Sequence, residues 1–348
     1  MIKPKNILIV RTDRIGDVIL SLPLARIIKN KYPDCKITFL VRNYTAAIVL
    51  GHPYIDEVII LREADDTIPI NVNVDLLKDK KYDTGIIVYP TFKTALIVYL
   101  SGIKTRIGSG YRWYSVLFNN KVFEHRKTAE KHELEYNISL LKKIKIDEQP
   151  LQGNVNFDLK VNSEALEYVN RISLDYWIDL DKKLVVVHPG SGGSAVDLPT
   201  EKMSKIVQDL AAIEDVNIIV TGSDSEFSLC ESITSGTNAI NLAGKFDLQQ
   251  ITALISLSHV FVSNSTGPIH IAAALGIPVI GFYPKIRACS EERWGPYTTK
   301  KVIFSPETDC SNCNREQCER LNCMNTIDIH KVTDEVKNQI LRTTKDLK

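Results

Sequence analysis

The stretch 260–283, Val-Phe-Val-Ser-Asn-Ser-Thr-Gly-Pro-Ile-His-Ile-Ala-Ala-Ala-Leu-Gly-Ile-Pro-Val-Ile-Gly-Phe-Tyr, is compatible with few folds. Residues 260–262 are an apolar, β-branched run of the kind that a buried parallel strand requires. Residues 263–268 are turn chemistry, in which Ser and Asn side chains can cap a helix and Pro268 suits a first helical turn. Residues 269–275 predict a short, Ala-rich helix, and Gly276 is placed to end it as a C-cap. A second strand is expected over 277–282. In such a unit the turn lies at the strand's carboxyl end, with backbone N–H groups and the Ser265 and Thr266 hydroxyls turned towards an anion. An ordinary capped βαβ corner would read the same way, so the turn alone does not decide the function.

The same plan recurs at the start of the chain. Strand 6–10 leads into Arg11-Thr-Asp-Arg-Ile-Gly-Asp17, then a helix over 18–31 stopped by Pro33, then strand 36–41. That length fits one βαβ unit. Gly16 stands alone, so the G-x-G-x-x-G fingerprint of a nicotinamide-binding turn is missing. Further strands are expected at 58–61, 84–88 and 105–110, with a helix at 91–100 whose first turn carries Lys93. A helix is expected from 127 to about 143, its alternating charges read as a solvated face.

Residues 151–160 read as a connector. Beyond it, a helix at 163–172 capped by Asn162 or Ser163 precedes strand 184–187. The glycine-dense turn His188-Pro-Gly-Ser-Gly-Gly-Ser-Ala195 follows, with a helix from near Thr200. Strand 216–220 ends in Thr221-Gly-Ser-Asp-Ser-Glu226, and a helix spans 248–257. Such turns let backbone amides approach a phosphate. Asp179-Leu-Asp181 has the Asp-x-Asp pattern of a metal-dependent transferase, but it precedes a strand, and ligand-holding carboxylates are expected after one. The predicted class is α/β: two Rossmann-like domains facing across a cleft. The expected bounds are 1–152, a linker at 153–162, 163–330, and a final helix over 331–348 returning towards the N-terminal domain.

Composition removes other classes. With 43 basic and 42 acidic residues in 348, there is no overall basic surface for nucleic acid. No apolar run approaches the ~20 residues of a membrane span, and residues 1–6 lack the apolar core of a signal peptide. A cytoplasmic location is expected, with peripheral attachment to the inner face of the membrane compatible with it.

Taken together, Arg11–Asp17, His188–Ala195, Thr221–Glu226 and 263–278, with Trp294-Gly-Pro296, resemble glycosyltransferase family 9, the ADP-heptose:lipopolysaccharide heptosyltransferases. The resemblance implies the GT-B fold and inverting transfer with no cofactor or metal needed for catalysis. It implies a nucleotide-sugar donor in the C-terminal domain and a glycolipid acceptor, at the membrane surface, on the N-terminal one. Asp17 takes the position of the family's catalytic base. The donor's diphosphate falls to Gly190, Ser191, Gly192, Gly193 and Ser194 on one side, and to Asn264, Ser265, Thr266 and Gly267 on the other. Thr221, Gly222 and Glu226 fall to the nucleoside, and His270 to the substrate. Arg11, Arg14 and Lys93 are acceptor candidates. Two departures stand out. Val196 lies near the position of a phosphate-binding Lys, and Leu198 replaces a Trp. Arg11, Arg14 or Arg287 are candidates for the missing charge. A sugar-nucleotide isomerase and a non-catalytic nucleotide-sugar binder share the fold and are the competing readings; the retained Asp17 favours transfer.

Cys310, Cys313, Cys318 and Cys323 fall within 14 residues. In a reducing compartment such a cluster suggests a structural zinc before disulfides, although the spacing is not that of paired Cys-x2-Cys knuckles. Free thiols are the third reading.

Overall fold

The structure is a computed structural model that describes residues 3–65, 67–308 and 313–345. The chain forms two compact units, one up to Lys160 and one from Val161 onward.

In the first unit six strands, β1 Asn6–Val10, β2 Lys36–Val41, β3 Glu57–Ile60, β4 Thr84–Ile87, β5 Thr105–Ser109 and β6 Asn120–Val122, form one sheet in the order β3-β2-β1-β4-β5-β6. Every pairing is parallel, with Val10 opposite Leu40 on one side and Ile87 on the other. Ile7 to Val10 are completely buried, because helices cover both faces of a parallel sheet. The chain order reverses between β1 and β4, so the loops after these two strands border the crevice where α/β sheets take ligands.

The helix expected over 18–31 is two helices, Ile15–Ile19 and Pro23–Lys31. Pro23 has no N–H to continue the ladder, and the Ser21 hydroxyl donates to the Asp17 carbonyl at 2.9 Å, the acceptor a continuing helix would use. The helix expected from 127 starts at Glu133 instead. The His132 ring accepts from the Leu134 N–H at 3.2 Å and the Glu135 carboxylate accepts from the His132 N–H at 3.2 Å, a capping box that sets the start.

The second unit repeats the topology. Strands β7 Lys183–His188, β8 Val216–Val220, β9 Ile240–Asn241, β10 Val260–Asn264, β11 Val279–Phe282 and β12 Lys301–Phe304 run in the order β12-β11-β10-β7-β8-β9, again all parallel. The reversal falls between β7 and β10. The helix after β10 is Gly267–Ala274, and Gly276, at φ +74°, closes it: the Ile277 N–H reaches the Ala272 carbonyl at 3.0 Å. Asp179 and Asp181 lie in a turn ahead of β7, where an Asp179 oxygen accepts the Asp181 N–H at 3.0 Å. The last helix, Ile329–Lys345, lays Val332, Val336 and Ile340 into this unit's core, packed against the helix Thr200–Ala211. Among the described residues no helix is long and apolar enough to cross a membrane.

Candidate active site

In the first unit the loop after β1 builds a charge cluster around Arg11, whose side chain is 0% exposed. Its Nε donates to Asp13 at 2.8 Å, one Nη to Asp17, and the other to the Asn137 side-chain oxygen at 3.3 Å, with Glu133 3.6 Å away. Arg126 pairs with Glu133 and donates to the same Asn137 oxygen at 3.2 Å. The Asn137 amide donates to the Leu20 carbonyl at 3.1 Å, which ties the helix Glu133–Ser139 to the end of the Asp17 helix. Arg11, expected at the acceptor, is therefore fully engaged inside the protein. It positions Asp17, which stays accessible at 14% side-chain exposure. Arg14 is exposed, and Lys93 lies half-buried at the second position of the helix Phe92–Leu100.

Charge counting explains the electrostatics of this cluster. Two guanidinium groups face three carboxylates, Asp13, Asp17 and Glu133. Burial pushes the Asp13 carboxyl up from 3.8 to about 7; Arg11 opposes the rise and the adjacent Asp17 charge adds to it. A proton held by Asp13 balances the cluster. Burial lowers the Arg11 pKa, but the carboxylates outweigh it and hold the value above the ordinary one. Asp13 and Glu133 were missed in the sequence. Glu133 looked like a solvated helix charge, but it is buried as a partner to both arginines.

In the second unit the glycine turn after β7 and the turn after β10 meet at the reversal point. Asn264 holds them together: its side-chain oxygen accepts the Leu198 N–H at 2.9 Å and its amide donates to the Pro189 carbonyl at 2.6 Å. It thus braces both ends of the glycine turn. Gly192 and Gly193 sit at φ +53° and +73°, where only glycine is at ease, and the Ser194 N–H closes the turn on the Ser191 carbonyl at 3.0 Å. Thr266 starts the eight-residue helix with no side-chain cap, which leaves its first amides available to an anion. Ser265 is buried behind it, and His270 is buried one turn further on.

Glu226 lies against this turn. A Cβ on Gly190 would stand 1.8 Å from one Glu226 carboxylate oxygen, so glycine there is what admits the carboxylate. The other oxygen accepts from the Ser223 N–H and hydroxyl, both at 2.8 Å. Thr221 is buried, its hydroxyl 3.0 Å from the His188 ring. Burial lowers the His188 pKa to about 4, only partly offset by Glu226, so the ring is neutral at pH 7. Asp197 is pushed up to about 6 by burial, against the opposing pull of Ser191 and Arg315.

Val196 and Leu198, at the positions of the expected Lys and Trp, are buried in the unit's core. The cation beside the turn is Arg315, whose Nη1 donates to the Gly193 carbonyl at 2.9 Å. It was not among the candidates for the missing charge: 122 residues separate it from Gly193. Arg11 and Arg14 belong to the first unit. Arg315 opens the helix Arg315–Arg320, which also carries Cys318. Cys318 and Cys323 are buried in the aliphatic core with Cys313 packed against it, and Cys310 lies outside the described residues. Among the described residues no group of three or more His, Cys, Asp or Glu is placed to hold a metal ion.

Two parallel six-stranded sheets of identical order, each with polar loops at its reversal point, are the GT-B arrangement of glycosyltransferases. The chain belongs to glycosyltransferase family 9, described as heptosyltransferase, which matches residues 74–324. It is similar to the Haemophilus influenzae protein named "Putative glycosyltransferase", at 30% identity over 87% of this chain and 89% of that one. Lipopolysaccharide heptosyltransferase 2 of Escherichia coli K12 is 25% identical over 80% of this chain and 82% of its own. Among solved structures, the glycosyl transferase family 9 protein of Veillonella parvula matches with a TM-score of 0.83 at 17% identity over 97% of both chains. The E. coli ADP-heptose LPS heptosyltransferase II matches with 0.77 at 21%, over 97% of this chain and 99% of that one. The protein is thus a glycosyltransferase of a family that acts in lipopolysaccharide biosynthesis.

Proposed function

We propose that this protein transfers heptose, with inversion and without a metal, from ADP-heptose to a lipopolysaccharide-type glycolipid. The observation that carries the reading is Asp17, held just after the carboxyl end of β1 by a buried arginine and left partly accessible. The acceptor hydroxyl oxygen attacks the anomeric carbon as Asp17 takes its proton. The bond from that carbon to the diphosphate oxygen breaks on the opposite face, which inverts the centre. The leaving ADP gains charge as it departs, so donors aimed at the diphosphate contribute to the rate. The amides of Gly190 to Gly193 and of the Thr266–Gly267 helix start are suited to that task, and Arg315 takes the part of the lysine absent at 196. Glu226, with one oxygen fixed by Ser223, keeps the other for the ribose hydroxyls.

Relatives named as lipopolysaccharide heptosyltransferases support the choice of sugar and acceptor, and the solved neighbour named for ADP-heptose supports the donor. The test is a donor panel of ADP-, GDP- and UDP-sugars followed by thermal shift, then transfer to a deacylated core oligosaccharide with the product's anomeric configuration read by NMR. ADP-heptose should give the largest shift and an inverted product, with turnover unchanged by EDTA. Retention of configuration, or turnover lost to EDTA and restored by Mg²⁺, would refute the mechanism.

A further inference from the structure

The first unit carries exposed aromatic side chains to which no step of the transfer is assigned. Trp113 is 76% exposed, Val116 75%, Phe123 63%, Tyr111 46% and Phe92 40%. They are one patch. Trp113 and Val116 sit three apart on the tight helical turn Trp113–Leu117, where side chains three apart eclipse. Trp113 stacks on Phe92 with ring centroids 4.9 Å apart, and Tyr111 meets Phe123 edge-on at 5.7 Å. Phe123 lies so close over Gly110 that a Cβ there would stand 2.4 Å from its ring. Rings are thus held in place while their outer faces stay in water, a costly arrangement unless something covers them.

The charge around the patch says what does. Between Tyr89 and Arg126 there are six lysines and arginines, of which Arg126 is paired with Glu133, against one acid, Glu124, in a chain whose charges otherwise nearly cancel. Glu124 is itself paired with Lys131 at 2.7 Å. Arg112, beside Trp113, is exposed, and Lys121 precedes Phe123 by two residues, the spacing that puts both on one side of a strand. Amphipathic aromatic side chains interleaved with basic ones are the chemistry of a surface that sits in the headgroup region of an anionic bilayer. The patch also adjoins the charge cluster: Phe123 is three residues from Arg126, the partner of Glu133, hence no more than about 11 Å between Cα atoms.

We propose that this face, centred on Trp113, Val116 and Phe123, docks the protein on an anionic lipid surface. Seated there, the enzyme would meet an acceptor whose lipid part stays in the bilayer, so docking should act on KM for the membrane-bound acceptor and leave kcat alone.

The test is flotation of the full-length protein with vesicles of phosphatidylcholine alone and with phosphatidylglycerol added to about a third. No turnover is involved, so the outcome is independent of the donor and sugar assigned above. The parent should float with the anionic vesicles and release at high salt. Each basic residue near such a surface contributes roughly fivefold to partition, so R112Q/K121Q should weaken binding on the order of twentyfold. W113A/F123A should weaken it on the order of tenfold or more and lower its salt-resistant part. Both variants should keep parental melting temperature, donor affinity and transfer to a deacylated, water-soluble acceptor. Equal binding of the parent to neutral and anionic vesicles overturns the proposal, as does variant binding equal to the parent. Loss of transfer to the soluble acceptor in W113A/F123A would assign the rings to sugar stacking instead. A parental dimer in solution that W113A/F123A dissociates would assign the face to a second copy.

Discussion

Replacing Asp13 with Asn tests whether one proton balances the cluster around Arg11. The unfolded chain ionises Asp13 near its ordinary value of 3.8, whereas the fold holds the proton to about 7. Between these values the unfolded state binds fewer protons than the folded one, so stability falls as pH rises through the window and levels off above it. From pH 5 to 7 the interval is about two units at 1.36 kcal/mol each, an order-of-magnitude loss of about 2–3 kcal/mol. Asn mimics the protonated carboxyl at every pH and escapes that loss. The stability of Asp13→Asn relative to the parent should therefore increase by about 2–3 kcal/mol between pH 5 and pH 8. For a unit of this size that is a relative melting shift of about 5–10 °C. Urea unfolding followed by circular dichroism at the two pH values reads the difference directly, and other titrating groups cancel in the comparison. A relative stability that stays constant across the range would refute the proton on Asp13 and leave the cluster with an uncompensated charge.

Three further outcomes follow from the second unit. Gly190→Ala should displace the Glu226 carboxylate that now occupies the space of the new Cβ, weakening nucleotide-sugar binding by about 1–3 kcal/mol in calorimetry while the melting temperature stays close to the parent's. Arg315→Gln should raise the donor KM roughly fivefold, a modest value because the side chain is half-exposed, and Arg315→Lys should recover part of it; a donor KM unchanged in both would remove Arg315 from the site. Asp197→Asn should be relatively more stable as pH rises between about 4 and 6, since burial raises this carboxyl too; a pH-independent difference in urea unfolding would show that Asp197 ionises freely.

The parts of the fold that the sequence made legible are those whose signal is local. Strands such as β1, β7 and β10 are unbroken apolar runs because helices bury both their faces. Gly276 marks a helix end because its φ of +74° suits glycine alone. The glycine turn and Thr266 were visible because an anion site made of backbone needs small residues in order. What escaped depends on distant partners. Glu133 becomes a buried ligand of Arg11 only through a contact across 122 residues of chain; alone, its alternating neighbours look solvated. The His132-x-x-Glu135 capping box was present in the sequence and would have moved that helix start. Pro23 likewise marks a break inside the expected helix, whose end before Pro33 falls where the sequence placed it. Arg315, the cation beside the glycine turn, was not among Arg11, Arg14 and Arg287, because the helix that carries it follows the last strand in sequence and reaches Gly193 only through the fold. The short, partly exposed β6 has neither alternation nor an apolar run to betray it, whereas the Val-Ile-Phe run of β12 was legible and was passed over.

The central claim is that Asp17 takes the acceptor's proton, and the most direct test is kcat of Asp17→Asn with chemistry rate-limiting. Asn keeps the size and the Arg11 contact but cannot accept a proton. Without the Asp17 charge, Asp13 can ionise and keep Arg11 compensated, so the fold should hold. General-base catalysis is worth ~10²–10⁴-fold, or about 3–5.5 kcal/mol of barrier. The variant should lose kcat by that factor, with donor affinity and melting temperature close to the parent's. A variant that keeps more than about a tenth of parental kcat would make Asp17 a structural partner of Arg11 and contradict the account.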